Sequence, residues 1–373
     1  MAKPITATLF AALPLFFAVL APAQSSPFAA RVIDFQPAPG QFVNHPLFVD
    51  PAAALGAPVG GGTLAADNSK VVSLGGFGGS ISLAFDHTVV NKPPHPSLNP
   101  RGLDLIIFSN AFWVGSQARR WGEAGVIEVS RDANGNGRAD DPWFVIPGSH
   151  LPSGTPPTRM NVTWDATDPA FPPTNKDWVP PGRTGRWTTS AFALPTSTFA
   201  GPVIGPTGPA PALEAFFGYA DVSPTLLLGD TNADNQVDEL LLAAEFFYTR
   251  PDDPFATGIT FGSGGGDAID LDWAVDPATG QPADLIGIDF VRITTAVHNV
   301  NSLFGENSVE ISGVAEVLLA TGTDYNRDGV IDQEDLSGYI TAFLGSDLSA
   351  DFNWDRELNQ EDLSGFITAY LAQ

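Results

Sequence analysis

The sequence has no cysteine, so no disulfide braces it, and in an oxidising compartment its stability must come from packing or bound metal. Basic residues are few: 17 Lys and Arg stand against 42 Asp and Glu, a formal charge of -25 at pH 7. That balance argues against nucleic acid and anionic membrane as partners and favours cations. No apolar run after the first 20 or so residues is long enough for a membrane span. Catalytic signatures are also missing. His45, His87, His95, His150 and His298 stand singly, with no HExxH, no His-x-His pair and no GxSxG elbow. Paired carboxylates for glycoside hydrolysis stay open, because linear sequence does not show how far apart the acids lie. "GGFGGS" at 75–80 lacks a Lys and precedes a strand pattern rather than a helix, so it reads as close backbone packing or a bulge rather than a phosphate loop.

What is present begins with an export signal over residues 1–23: Lys3, an apolar run from Ile5 to Leu20, and Ala21-Pro22-Ala23 as a small-residue cleavage site. The expected destination is outside the cell or on its surface. About 350 residues remain, more than one core usually holds, which suggests a large domain and a small one. Gly 38 and Pro 33, without a Gly-X-Y period, point to a loop-rich β protein. "SISLAFD" (80–86) alternates, with Ile81, Leu83 and Phe85 on one face, and "LDLIIFS" (103–109) is more continuously apolar. Residues 125–131, 141–149, 289–297 and 309–319 read as further strands. The organisation expected is a mainly β, antiparallel sandwich over residues 24–320, with a Pro/Gly-rich surface excursion at about 147–211, and a small all-α module at 321–373. Trp164, Trp178 and Trp187 in that excursion, with Trp113 and Trp121, suit either sugar stacking or core anchoring.

Internal repetition is the clearest signal. "DYNRDGVIDQEDLSGYITAFLG" from Asp324 recurs 27 residues later as "DFNWDRELNQEDLSGFITAYLA" from Asp351. In the first copy Asp324, Asn326, Asp328, Val330 through its carbonyl, Asp332 and Asp335 occupy loop positions one, three, five, seven, nine and twelve, the pattern by which a calcium ion gathers oxygens. In the second, Asp351, Asn353, Asp355, Glu357, Asn359 and Asp362 take those places. Arg356 stands at position six, where the turn wants glycine, at a cost of about 1 to 2 kcal/mol that weakens calcium roughly five- to thirtyfold. Each loop is followed by a helical stripe, Leu336, Tyr339, Ile340 and Phe343 in one copy, Leu363, Phe366, Ile367 and Tyr370 in the other.

With no helix before either loop and Asp rather than Glu at position twelve, the module resembles the duplicated dockerin domain, over about the last fifty residues. The resemblance implies calcium binding and docking onto a cohesin-like domain of a scaffolding or surface protein, often in polysaccharide degradation. It implies that Gln333, Glu334 and Ser337, with Gln360, Glu361 and Ser364, face the partner. Their identity in both copies would suit docking in two orientations, while Gln-Glu departs from the small hydroxyl or apolar residues common there.

The large domain carries further calcium-like loops. Asp132, Asn134, Asn136 and Asp140 hold positions one, three, five and nine of one, with Gly137 at six; Asp230, Asn232, Asp234 and Asp238 form another; Asp267, Asp270 and Asp272 cluster in "GGGDAIDLD". Asp and Asn are also ordinary turn residues. "VIEVSRDANGNGRADDPWFVIPGS" and "GIDFVRITTA" resemble strands of galactose-binding-like, discoidin-type jelly rolls, and "VSLGGFGGSISLAFD" resembles bacterial surface proteins sharing such a sandwich, over roughly Ala53 to Ala296. That implies a fold and says little of a ligand. The reading expected from the whole sequence is an exported, non-catalytic, calcium-binding sandwich with a glycan or surface ligand. A hydrolase or lyase carrying the same docking module, and a structural envelope protein, are the alternatives.

Overall fold

The computed structural model describes residues 26–371 apart from 41, 95–98, 118, 149–157, 166–185, 195–216, 257, 297, 299, 302–304, 307, 319–322, 324, 326–330, 347–349, 351 and 353–357. The first half holds the strands β1 Arg31–Gln36, β2 Val72–Ser73, β3 Ser80–Val90, β4 Leu105–Ser109, β5 Phe112–Ser116, β6 Arg119–Trp121, β7 Gly125–Ser130, β8 Trp143–Val145, β9 Arg159–Asp165 and β10 Arg186–Phe192. After them come β11 Tyr219–Ala220, helix α1 Ala244–Phe247, β12 Asp267–Ile269, β13 Gly287–Thr295, β14 Val300–Asn301, β15 Gly305–Glu306 and β16 Glu310–Glu316, then helices α2 Gln333–Leu344 and α3 Gln360–Leu371.

The chain is mainly β, and its sheets are antiparallel. One sheet runs β1-β3-β13-β7-β11, with β8 also on β7; the other runs β12-β4-β16-β2. Both feed one apolar core. Ile81, Leu83 and Phe85 of β3, Ile127 and Val129 of β7, and Val291 and Ile293 of β13 enter from the first sheet. Leu105, Ile107, Ile269, Ile311 and Val314 meet them from the second. The period-two pattern of β3 thus puts its three large apolar residues on the core face. That strand runs on to Val90 because pairing continues past the apolar run, Val89 opposite Ile288 and Val90 opposite Gly287. The segment 141–149 yields only the short β8, since Pro142 and Pro147 flank it and have no N–H to offer a ladder. In the glycine-rich stretch, a Cβ on Gly79 would overlap the Leu74 carbonyl oxygen, so backbones pack there at a distance only glycine allows.

The stretch 147–211 contains a paired element. Within it β9 and β10 form an antiparallel pair, Arg159 opposite Phe192 through to Asp165 opposite Arg186. Phe192 and Leu194 pack with Val126, Val145 and Tyr219 in a second apolar cluster, away from the main core. Trp178 lies outside the described residues. A third cluster joins Phe247 and Tyr248, at the end of α1, to Ile106, Phe108, Ala268 and Ala315, residues alternate with those that β4, β12 and β16 send to the main core.

Helices α2 and α3 share a separate cluster built on Tyr339, Ala350 and Phe366, with the rest of both predicted stripes packed around it. Tyr339 and Phe366 stack at 3.7 Å between centroids and 4° between planes. Tyr325 meets Tyr339 edge-on at 5.6 Å, and Phe352 meets Phe366 edge-on at 5.9 Å. A Cβ on Gly338 would press on the Tyr325 ring at 2.9 Å and one on Gly365 on the Phe352 ring at 2.7 Å, which explains a glycine inside each helix despite its poor propensity. No helix among the described residues is long and apolar enough to cross a membrane.

Candidate cation sites

Two acidic loops of the two-sheet body fold alike. In the first, Asp132 Oδ1 accepts from the Asn136 amide at 2.9 Å and Oδ2 from Gly137 at 2.6 Å, while Asn134 Oδ1 accepts from Asn136 at 3.1 Å. In the second, Asp230 Oδ1 accepts from Asp234 at 3.1 Å and Oδ2 from Asn235 at 3.0 Å, while Asn232 Oδ1 accepts from Asp234 at 2.9 Å. Positions four and six have positive φ in both, Gly135 and Gly137 in one, Ala233 and Asn235 in the other. Asn and Asp tolerate that region better than most residues, so Asn235 takes the place of the glycine.

Its amide oxygen also accepts from Thr63 N at 2.6 Å and Thr63 Oγ1 at 3.1 Å, which fastens the second loop to a segment far away in sequence. One carboxylate oxygen each from Asp230, Asp234 and Asp238 lie within 4.8 Å of one another, a span that one divalent cation bridges with oxygens at 2.3 to 2.6 Å, roughly the calcium distance. Burial pushes Asp230 up from its ordinary pKa, against the amide bonds that pull it down. In the first loop Asp140 is drawn close by the side-chain amides of Asn136, at 3.1 and 3.2 Å, and Asn134, at 3.3 Å. Those bonds lower its pKa. Position twelve contributes no carboxylate to either loop, being Trp143 in one and Leu241 in the other.

Asp267, Asp270 and Asp272 do not form a group whose carboxylate oxygens all lie within 4.8 Å of one another. Asp267 accepts from the Val222 amide at 3.0 Å, Asp270 from the Asp272 amide at 2.8 Å, and Asp272 from the Asn91 side chain at 2.8 Å.

Of the duplicated C-terminal loops, Asp324, Asn326, Asp328, Val330, Asp351, Asn353, Asp355 and Glu357 lie outside the described residues. Asp332 caps α2, accepting from Glu334 N at 2.7 Å, and Asp335 accepts from Asp332 N at 2.9 Å, a reciprocal capping box. Asn359 repeats the cap, accepting from Glu361 N at 2.7 Å, and Asp362 accepts from Asn359 N and Phe352 N, both at 2.8 Å. Asp335 and Asp362 are fully buried. Capping and coordination do not exclude each other, since each carboxylate oxygen has two lone pairs. Gln333, Glu334, Ser337, Gln360, Glu361 and Ser364 are all exposed.

Sequence reading missed a third group. Glu123, Asp221 and Glu310, each at most 3% exposed, bring carboxylate oxygens within 4.8 Å of one another. They come from the chain just before β7, just after β11 and the start of β16. Asp221 Oδ2 accepts from Glu310 N at 2.9 Å, Glu123 Oε1 from Ser308 N at 3.0 Å, and Glu310 Oε1 from Ser73 Oγ at 2.9 Å. Burial, and then the Glu123 carboxylate, push both Asp221 and Glu310 well above the carboxylate range. Such acids enter a fold as neutral carboxyls or around a cation. Lone acids in apolar surroundings, as in "WGEAGVIEVS" and "SVEISGVAEV", are the trace they leave in the sequence.

Elsewhere burial pushes Asp104 to about 7, Asp267 to about 7 and Asp252 to about 6. Unfolded carboxyls ionise near pH 4. Between that point and the raised values the folded chain holds more protons than the unfolded one, so stability falls as pH rises from about 4 to about 7. The excess of acids pushes the same way, as repulsion grows with ionisation. Melting temperatures in calcium-free buffer are expected to decline across that range; a steady rise toward neutrality would contradict the assignment.

Neither protein-family models nor curated proteins yield a match to this chain.

Proposed function

We propose that this is an exported, calcium-binding, non-catalytic binding protein. In this reading a jelly-roll sandwich of the galactose-binding type carries the ligand, and a dockerin-like module tethers it to a cohesin-like domain. The observation that carries the reading is the common geometry of the loops at Asp132 and Asp230, with three carboxylates of the second converging within 4.8 Å. Loops that collect Asp and Asn oxygens at alternate positions suit calcium better than magnesium, which demands near-ideal octahedral geometry. The duplicated C-terminal pattern extends the same chemistry. The exposed Gln-Glu and Ser of each helix start supply a docking face that is the same in both copies.

Calcium at about a hundred times its Kd is expected to raise stability by about 2.7 kcal/mol per independent site, visible as a higher melting temperature than magnesium gives. Asp230→Asn with Asp234→Asn should remove the share of the Asp230 loop and leave the rest. If calcium moves no unfolding transition, the metal half of the proposal fails. If glycan arrays and polysaccharide pull-downs with the whole chain show no binding, the ligand half fails.

A further inference from the structure

Near the edge strands β11 and β12 lies a cavity, lined in part by residues 252–254, 256, 258 and 259, that the acidic loops do not touch. Arg120, Phe217, Tyr219, Ser223, Asp252 and Asp267 are among its lining residues, and it leaves about 20 Å³ for the centre of a water-sized group, room for about one. Arg120, Asp252 and Asp267 are at most 6% exposed. Arg120 is fixed from behind, its Nη1 donating to the Val222 carbonyl at 2.9 Å and to Ser223 Oγ at 3.1 Å. Asp252 uses one oxygen: Oδ1 accepts from Thr260 N at 2.7 Å and Thr260 Oγ1 at 2.8 Å. Among the described residues nothing donates to its Oδ2, which is not one of their sealed, unpartnered atoms and so is open to water where Asp252 lines the cavity. Phe217 supplies an apolar wall, held by Phe255 at 4.5 Å and Trp273 at 5.6 Å between ring centroids.

A carboxylate with one oxygen open to the cavity, beside a buried guanidinium, selects its ligand by chemistry. An anion, which only accepts, would meet Asp252 and Asp267. An ammonium, which only donates, would meet Arg120. A hydroxyl both donates and accepts, and its size matches the space. The geometry points to a subsite that reads one hydroxyl of a saccharide, with Asp252 Oδ2 accepting its proton, Arg120 supplying the positive side, and Phe217 lying along the carbon face of the ring. This rests on the glycan-binding part of the proposed function and gives it a location.

The test uses the whole chain in calcium with two variants. Asp252→Asn keeps the Oδ1 contact with Thr260 and turns the free acceptor into a donor facing Arg120. Ala256→Leu enlarges an apolar lining side chain without changing any polar group. Saturation-transfer NMR is recorded with glucose, galactose, mannose and xylose, and with acetate and ethylammonium as acceptor-only and donor-only probes. At least one sugar should receive saturation from the parent and lose most of it in both variants, while acetate and ethylammonium receive none. Unchanged melting temperatures would show that the variants fold. Sugar signals that persist in both folded variants would overturn this subsite and leave glycan binding standing elsewhere. Silence from every sugar, together with failed polysaccharide pull-downs, would remove both.

Discussion

Phe366→Ala is expected to unfold the C-terminal helical pair while the two-sheet body stays folded. Phe366 is fully buried and lies face to face with Tyr339, and Phe352 and Tyr325 both press their edges on it. Truncating a buried phenylalanine costs about 3 to 5 kcal/mol. A core this small rarely supplies more than roughly that amount, and among the described residues only Tyr339, Ala350 and Phe366 are its fully buried apolar members. Hydrogen exchange should therefore show protection lost over 333–344 and 360–371 and kept in β3, β7 and β13. Phe366→Tyr, which copies the residue at the equivalent position of the first repeat, should keep most of it. Excess calcium would shift the Phe366→Ala variant back toward the folded form if the duplicated loops bind it, because a ligand that binds only the folded state stabilises by mass action. Retained protection in Phe366→Ala without calcium would mean that the stack is not what holds the helices together.

The helices were legible because everything that specifies them is local. The stripe at Leu336, Tyr339, Ile340 and Phe343 recurs at helical spacing, the Asp332 cap precedes it, and the repeat states the pattern twice. The core strands were legible for the same reason, since period two in "SISLAFD" says which side chains share a face. The Asp132 and Asp230 loops could be read because their oxygens lie within nine residues and the backbone itself folds them together. Where those conditions end, so does legibility. The triad of Glu123, Asp221 and Glu310 is assembled by the order of strands in two sheets, which no window of sequence contains. "RMNVTWD" alternates as a strand should, but the proline and glycine around it mask that signal.

The second large effect belongs to Glu128, at the centre of the face of β7 turned away from the core. Its two oxygens receive Arg292 from the neighbouring strand β13, Nε at 2.6 Å and Nη2 at 2.7 Å, and Oε2 also accepts from Arg159 at the start of β9. Each arginine lies on an aromatic ring, Arg292 at 4.1 Å from the Trp143 centroid and Arg159 at 4.5 Å from that of Phe192. Glu128 thus joins β7, β8, β13 and the β9–β10 pair through one carboxylate. Its side chain is 3% exposed, whereas those of Arg159 and Arg292 are 32% and 24% exposed. Breaking a buried ion pair from one side costs about 3 to 5 kcal/mol, because the remaining charge stays desolvated. Here both guanidiniums reach water, so Glu128→Ala belongs at the lower end, about 3 kcal/mol, and for a body of this size should lower the melting temperature by roughly 6 to 12 °C. Glu128→Gln keeps the shape and one acceptor and should lose less. A cycle with Arg292→Ala separates the pair from simple loss of packing: the double variant should be less destabilised than the two single losses added together, because the Glu128–Arg292 interaction is then lost once rather than counted twice. Strict additivity would show that Glu128 acts only by filling space.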